Sequence, residues 1–219
     1  MKFHGNRISI IALAWMIVTT AMKGQVFLGE GNVASVQVKT NTLYDAALCP
    51  NIGTEIQTDL GIAWQIDYIG AWWNSDAKHR YWSNYALQTE IRYYFNHTSM
   101  DAPFSGHHLG LYAQLATYDF EFGGTGYMCR DLDKSFGFGT SYGYSLPVGE
   151  RWNLDFTFGI GYFESKYEVY EPYINDYRRT DRRRLTFFGP TKLEVSLVWN
   201  LNKQNRMRNN GQSYKSYIP

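Results

Sequence analysis

The chain has 219 residues, a formal net charge of +1, and 17% aromatic residues, among them 18 Tyr, 13 Phe and 7 Trp. That length supplies one domain, or two small ones, and the near-neutral charge removes any general electrostatic argument for a nucleic-acid partner. A mean hydropathy of −0.40 beside so many rings is odd for a soluble core. It is natural for a membrane barrel, where polar lumen residues offset the lipid face in any average.

The first 24 residues read as a cleaved secretory signal. Lys2, His4 and Arg7 make a basic start, and Ile8 to Ala21 is an apolar or small-residue run too short to span a bilayer comfortably. Cleavage after Ala21 and cleavage after Gly24 both fit. Export of this kind excludes nucleic acid as a partner. It also brings Cys49 and Cys129 into an oxidising compartment, which leaves a disulfide between them open. Residues 25–34 carry Gly29, Gly31 and Asn32 and read as a flexible leader.

From Ser35 to Leu201 eight segments alternate between large apolar and small or polar residues, the period of a strand with two unlike faces. The first is expected over Val36–Ala46, with Val36, Val38 and Thr40 opposed to Lys39 and Asn41. A second follows Pro50, with Glu55 and Gln57 on its polar face, and a tight turn at Asp59-Leu60-Gly61 leads to the third. There Ile62, Trp64, Ile66, Tyr68 and Trp72 alternate with Gln65 and Asp67. The fourth, Trp82–Phe95, sets Leu87, Ile91 and Tyr93 against Gln88, Glu90 and Arg92. The fifth, about His107–Phe120, sets Leu109, Leu111 and Leu115 against Gly110, Tyr112 and Gln114. A glycine-rich loop, Gly123–Lys134, precedes the sixth, where Phe138, Tyr142 and Tyr144 alternate with Gly139, Ser141 and Gly143. The seventh, Trp152–Tyr162, has the cleanest alternation and the length of a tilted membrane strand. A long charged loop, Glu164–Leu185, leads to the last strand, where Leu193, Val195, Leu197 and Trp199 face away from Lys192, Glu194 and Ser196. Residues 202–219 form a polar tail, expected to be disordered.

Alternation alone does not say which face is outside, but volume does. An eight-stranded barrel encloses a bore just wide enough for side chains or one small ligand, and the apolar face is too bulky to fit inside it. The expected fold is therefore an all-β, eight-stranded, antiparallel up-and-down transmembrane β-barrel with its rings turned to lipid, in the outer membrane of a Gram-negative bacterium. Lys39, Glu55, Asp67, Glu90, Arg92, Asp155, Lys192 and Glu194 then point inward, where charges must be paired or solvated. Salt bridges from Arg92 and Lys192 to neighbouring carboxylates are expected. They are expected to form a structural plug, with a gated ion path or a proton-linked site as the rival reading.

Other chemistry is thin. Ser105, His107 and His108 cluster at a strand entrance, and His79 and His97 lie in connections, but no spacing marks a nucleophile with its base. Histidine and cysteine spacing marks no metal site, and no cofactor is expected. Arg178, Arg179, Arg182, Arg183 and Arg184 crowd into seven residues, a set suited to lipopolysaccharide phosphates. The same loop holds enough Glu and Asp nearly to neutralise them.

Three blocks of residues carry a family likeness. Lys39-Thr40-Asn41-Thr42-Leu43-Tyr44-Asp45-Ala46 with Pro50-Asn51-Ile52-Gly53 resembles the opening of an uncharacterised outer-membrane barrel family abundant in Bacteroidetes-type bacteria. Arg151-Trp152-Asn153-Leu154 with Gly159-Ile160-Gly161-Tyr162, and Phe188-Gly189-Pro190-Thr191-Lys192, resemble its later blocks. Members are domains of unknown function, often encoded near fimbrial or adhesin genes. The resemblance therefore implies a membrane anchor with a structural or surface-interaction role rather than an enzyme. Its expected partners are outer-membrane lipid, the barrel-assembly machinery and a surface or fimbrial protein. A narrow channel and a lipid-modifying enzyme are the alternatives. The chain departs from the family pattern by continuing past Leu201, so the last strand is not at its C-terminus.

Overall fold

The computed structural model describes residues 33–58, 60–75, 80–96, 105–122, 124–173 and 176–201. The signal segment, most of the leader, His79, His97 and the 202–219 tail lie outside the described residues. Among the described residues nine strands follow one another: β1 (Val33–Asn41), β2 (Asn51–Thr58), β3 (Ile62–Ser75), β4 (Arg80–Tyr94), β5 (Gly106–Phe122), β6 (Gly126–Cys129), β7 (Ser135–Pro147), β8 (Trp152–Tyr173) and β9 (Asp176–Asn200). One five-residue helix, α1 (Thr42–Ala46), sits between β1 and β2. Among the described residues no helix is long and apolar enough to cross a membrane.

The strands close into an antiparallel up-and-down ring with eight positions. Each strand pairs with its sequence neighbour except β6 with β7, and β1 pairs with β9, Gln37 opposite Asn200 and Asn41 opposite Ser196. One position is shared: β6 pairs with the upper parts of β5 and β8, and β7 with their lower parts. Gly61 makes the tight β2–β3 turn with φ of 78°, a conformation open to glycine at little cost, and its N–H donates to the Thr58 carbonyl at 3.1 Å.

Burial follows the sequence alternation. On β7, Ser141 and Ser145 are buried while Phe138 and Tyr142 stay about half exposed. On β8, Asn153, Asp155 and Thr157 are buried, and Phe156, Phe158 and Ile160 lie on the outer face. The polar residues thus line the interior and the rings cover the outside, the reverse of a water-soluble protein. Trp152 and Trp199 stack with centroids 6.0 Å apart at the lower rim of this apolar surface.

Three expectations are corrected. The first segment stops as a strand at Asn41, whose side chain accepts from the Leu43 N–H at 3.1 Å and caps α1. Within the glycine-rich stretch before the sixth segment lie β6 and a 3-10 turn at Leu132–Lys134. Most of the expected long loop at 164–185 belongs to a tall hairpin, because β8 runs to Tyr173 and β9 starts at Asp176. The β9 arm is polar on both faces from Arg178 to Arg184, and the β8 alternation of Glu164, Lys166 and Glu168 with Phe163, Tyr167 and Val169 breaks at Tyr170, so the hydrophobic period that marks a strand fades while the backbone pairing continues.

Candidate functional site

The interior is filled by ions. Arg92, fully buried on β4, donates to Asp155 on β8 at 2.7 Å and lies 2.9 Å from Glu90. It also reaches Glu55 on β2 and Glu194 on β9, each at 3.3 Å. β4 and β9 sit on opposite sides of the ring, so this one side chain spans the bore. Lys39 on β1 lies 3.7 Å from Glu55 and 3.6 Å from Asp155. Lys192 on β9 bonds Glu90 and lies 3.2 Å from Glu194. Asp67 accepts from the amides of Gln65 and Gln88, the latter at 3.3 Å, and Gln88 also donates to Glu194 at 2.8 Å. All eight residues singled out from the alternation are therefore gathered in one connected network.

Glycines make room for it. A Cβ at Gly110 would fall 2.1 Å from Glu90 Oε1, and one at Gly53 would fall 2.0 Å from Asp67 Oδ1. Small residues on the inward face are thus the complement of long charged ones on neighbouring strands. Burial of this kind is tolerable only when each charge has partners. Three lysine or arginine charges face five carboxylates, which leaves the interior acidic.

Sequence reasoning passed over two members. His108 is completely buried and its Nε2 lies 2.9 Å from Asp155 Oδ1, while its ring packs 4.9 Å from that of Tyr94. The Tyr94 hydroxyl donates to Glu55 at 2.7 Å. Parity was the available signal, since His108 shares its face with Gly110, Tyr112 and Gln114. Its neighbour His107 turns outward and shares a 2.6 Å hydrogen bond with the Tyr142 hydroxyl. The two histidines of the strand entrance therefore serve opposite faces and do not form one constellation.

The second site is outside, where β6, β8 and β9 rise past β1 and β2. A cavity of about 660 Å³ opens there, with Lys166, Glu168, Arg179 and Arg182–Arg184 on one side and Arg130, Asp131 and Lys134 on the other. Arg179 pairs with Glu168 at 2.7 Å and Arg182 with the same carboxylate at 3.1 Å. Arg184 pairs with Glu164 at 2.7 Å and Arg183 with Asp181 at 2.9 Å. Of the five arginines marked in the sequence, four line this cavity. Arg178 stays exposed, opposite Glu171 in the register. Hydrogen bonds from the Arg184 guanidinium and then the Tyr162 hydroxyl hold the Glu164 carboxyl below its ordinary range. Cys49 and Cys129 are both free thiols.

No curated protein and no solved structure matches the chain. The pattern of one family, described as "Protein of unknown function (DUF3575)", matches residues 10–201, and the chain belongs to that family.

Proposed function

We propose that this chain is a transmembrane β-barrel of the Gram-negative outer membrane. It serves as an envelope anchor that presents its outer end to surface partners, with no open pore and no catalytic role. The observation that carries the reading is the inversion of the ring: Phe158 is 46% exposed on the outside while Arg92 is 0% exposed within. In water such an exterior would be a large apolar patch. In hydrocarbon it is the ordinary surface of a membrane strand. The outward run from Trp152 to Tyr162, at about 3.3 Å per residue and tilted by roughly 40°, matches an apolar band about 25 Å tall. Closure supports the reading too, since a ring without free edges at its waist leaves few backbone groups unpaired in lipid.

Direct contacts between opposite strands, Arg92 to Glu194 and Gln88 to Glu194, support a plugged bore. The acidic excess in the network favours one rival, a narrow cation path. The barrel-assembly machinery and a surface or fimbrial protein are the partners this role requires.

Fractionation with planar-bilayer recording tests the proposal. The protein should sediment with outer membranes, require detergent for extraction and give no conductance. Recovery as a monomer in aqueous buffer would overturn the membrane reading. A cation-selective current altered by Arg92→Ala would replace the plug with a channel.

A further inference from the structure

We infer that the groove between residues 130–134 and the β8–β9 hairpin binds the phosphate of a lipid headgroup in the outer leaflet. The inference rests on the barrel reading above and deepens it by naming what the outer rim holds.

The groove is built by an interruption that ring closure does not require. Across from β5, Ala116 and Thr117 separate the residues paired with Cys129 and Phe136, while six residues, 130–135, separate those two on the other strand. Against β8 the mismatch recurs: Lys166 and Tyr167 stand where six residues, 129–134, intervene between Met128 and Ser135. Four surplus residues therefore leave the sheet and form a second wall.

Charge identifies the ligand class. Of the twelve residues lining the cavity, seven are cationic and two are anionic. Counting also Glu164 and Asp181, which pair with lining arginines, and Asp133 in the 130–134 wall, gives five carboxylates against seven cations, a surplus of two positive charges. A self-neutralised, solvated face would lack that surplus. Glu168 alone serves both Arg179 and Arg182, so guanidinium donors remain in a geometry that suits phosphate oxygens. The volume of about 660 Å³ falls within the range of about 300–1,000 Å³ that small-molecule pockets occupy.

Position identifies the source. By strand alternation the column Phe158, Ile160, Tyr162 continues on β8 through the buried Glu164 to Lys166 and Glu168, which stand opposite Arg184 and Arg182. The cationic layer thus begins where the apolar surface ends, at the level of lipid headgroups.

The test is a titration of the detergent-solubilised full chain with three probes: diphosphorylated lipid A, its dephosphorylated form and inorganic pyrophosphate. Phosphorylated lipid A should bind at least ten times more tightly than either of the others. The R182Q/R184Q double variant should lose roughly ten-fold in affinity. Glu168→Gln, which removes the internal competitor, should gain several-fold. That opposite sign separates ligand binding from a folding defect, and gel migration with and without heating verifies the fold of each variant. Equal binding of dephosphorylated lipid, or affinity unchanged in both variants, would overturn the site. Pyrophosphate binding as tight as lipid A would overturn the lipid source. Extraction behaviour of the same samples reports the barrel reading separately, so the two failures are distinguishable.

Discussion

The bore and the β8–β9 hairpin are built from the same residue types, yet charge behaves differently in each. Within the bore, Arg92, Lys39 and Lys192 are nearly inaccessible and each of them pairs with a carboxylate on another strand. On the hairpin, Arg182, Arg183 and Arg184 each keep more than half of the side chain exposed and pair within a few residues or with the adjoining strand. Losing a buried partner strands a charge in a medium that solvates it poorly. Losing an exposed partner hands that charge to water. The interior network therefore acts as a core, whereas the hairpin arginines remain available to an external anion.

The largest effect should come from the centre of the bore. Arg92→Met leaves four carboxylates facing one another and should lower unfolding free energy by about 3–5 kcal/mol, read from urea unfolding in lipid vesicles. A loss below 1 kcal/mol would mean that water, not side chains, solvates the network. Next, Phe158→Lys places a charge at the middle of the outer apolar face and should cost about 2–4 kcal/mol in the same assay. A neutral result there would contradict a hydrocarbon surrounding. Gly110→Ala, whose Cβ would land 2.5 Å from Ser141 Oγ as well as against Glu90, should cost about 1–3 kcal/mol through overpacking. Smallest of all, Arg183→Gln on the hairpin, whose partner Asp181 is itself half exposed, should leave the unfolding midpoint unchanged within replicate scatter.

The hairpin also has a pH signature. Because Glu164 is held below the ordinary carboxylate range, its pair with Arg184 contributes fully above that range. The contribution disappears as pH falls through the depressed value. Hydrogen exchange on β8 and β9 above Tyr162 should accelerate in that acidic window, before the bore opens. Simultaneous opening of both regions would contradict the contrast drawn between them.

Legibility in the sequence follows the same division. Where one face carries exposed apolar side chains and the other fills a crowded interior, alternation fixes which residues share a face. Asp155 and Lys192 are thus assigned inward by the sequence alone. His108 escaped because its neighbour His107 made the pair look like one cluster. Above Tyr162 the β9 arm is polar on both faces from Arg178 to Arg184, so the strand that pairs Arg182 with Glu168 left no period to detect. The groove was equally hidden. Its second wall depends on a count of unpaired residues against β5, a long-range quantity that no local pattern encodes.

Site-directed spin labelling at Phe158 tests sidedness most directly. The label is placed by Phe158→Cys in a chain carrying Cys49→Ser and Cys129→Ser, reconstituted in lipid vesicles. High accessibility to oxygen with low accessibility to a water-soluble nickel chelate is the result the proposed lipid-facing orientation predicts. Strong broadening by the nickel chelate, or protection from both reagents, would put Phe158 in water or in a protein core and contradict the account.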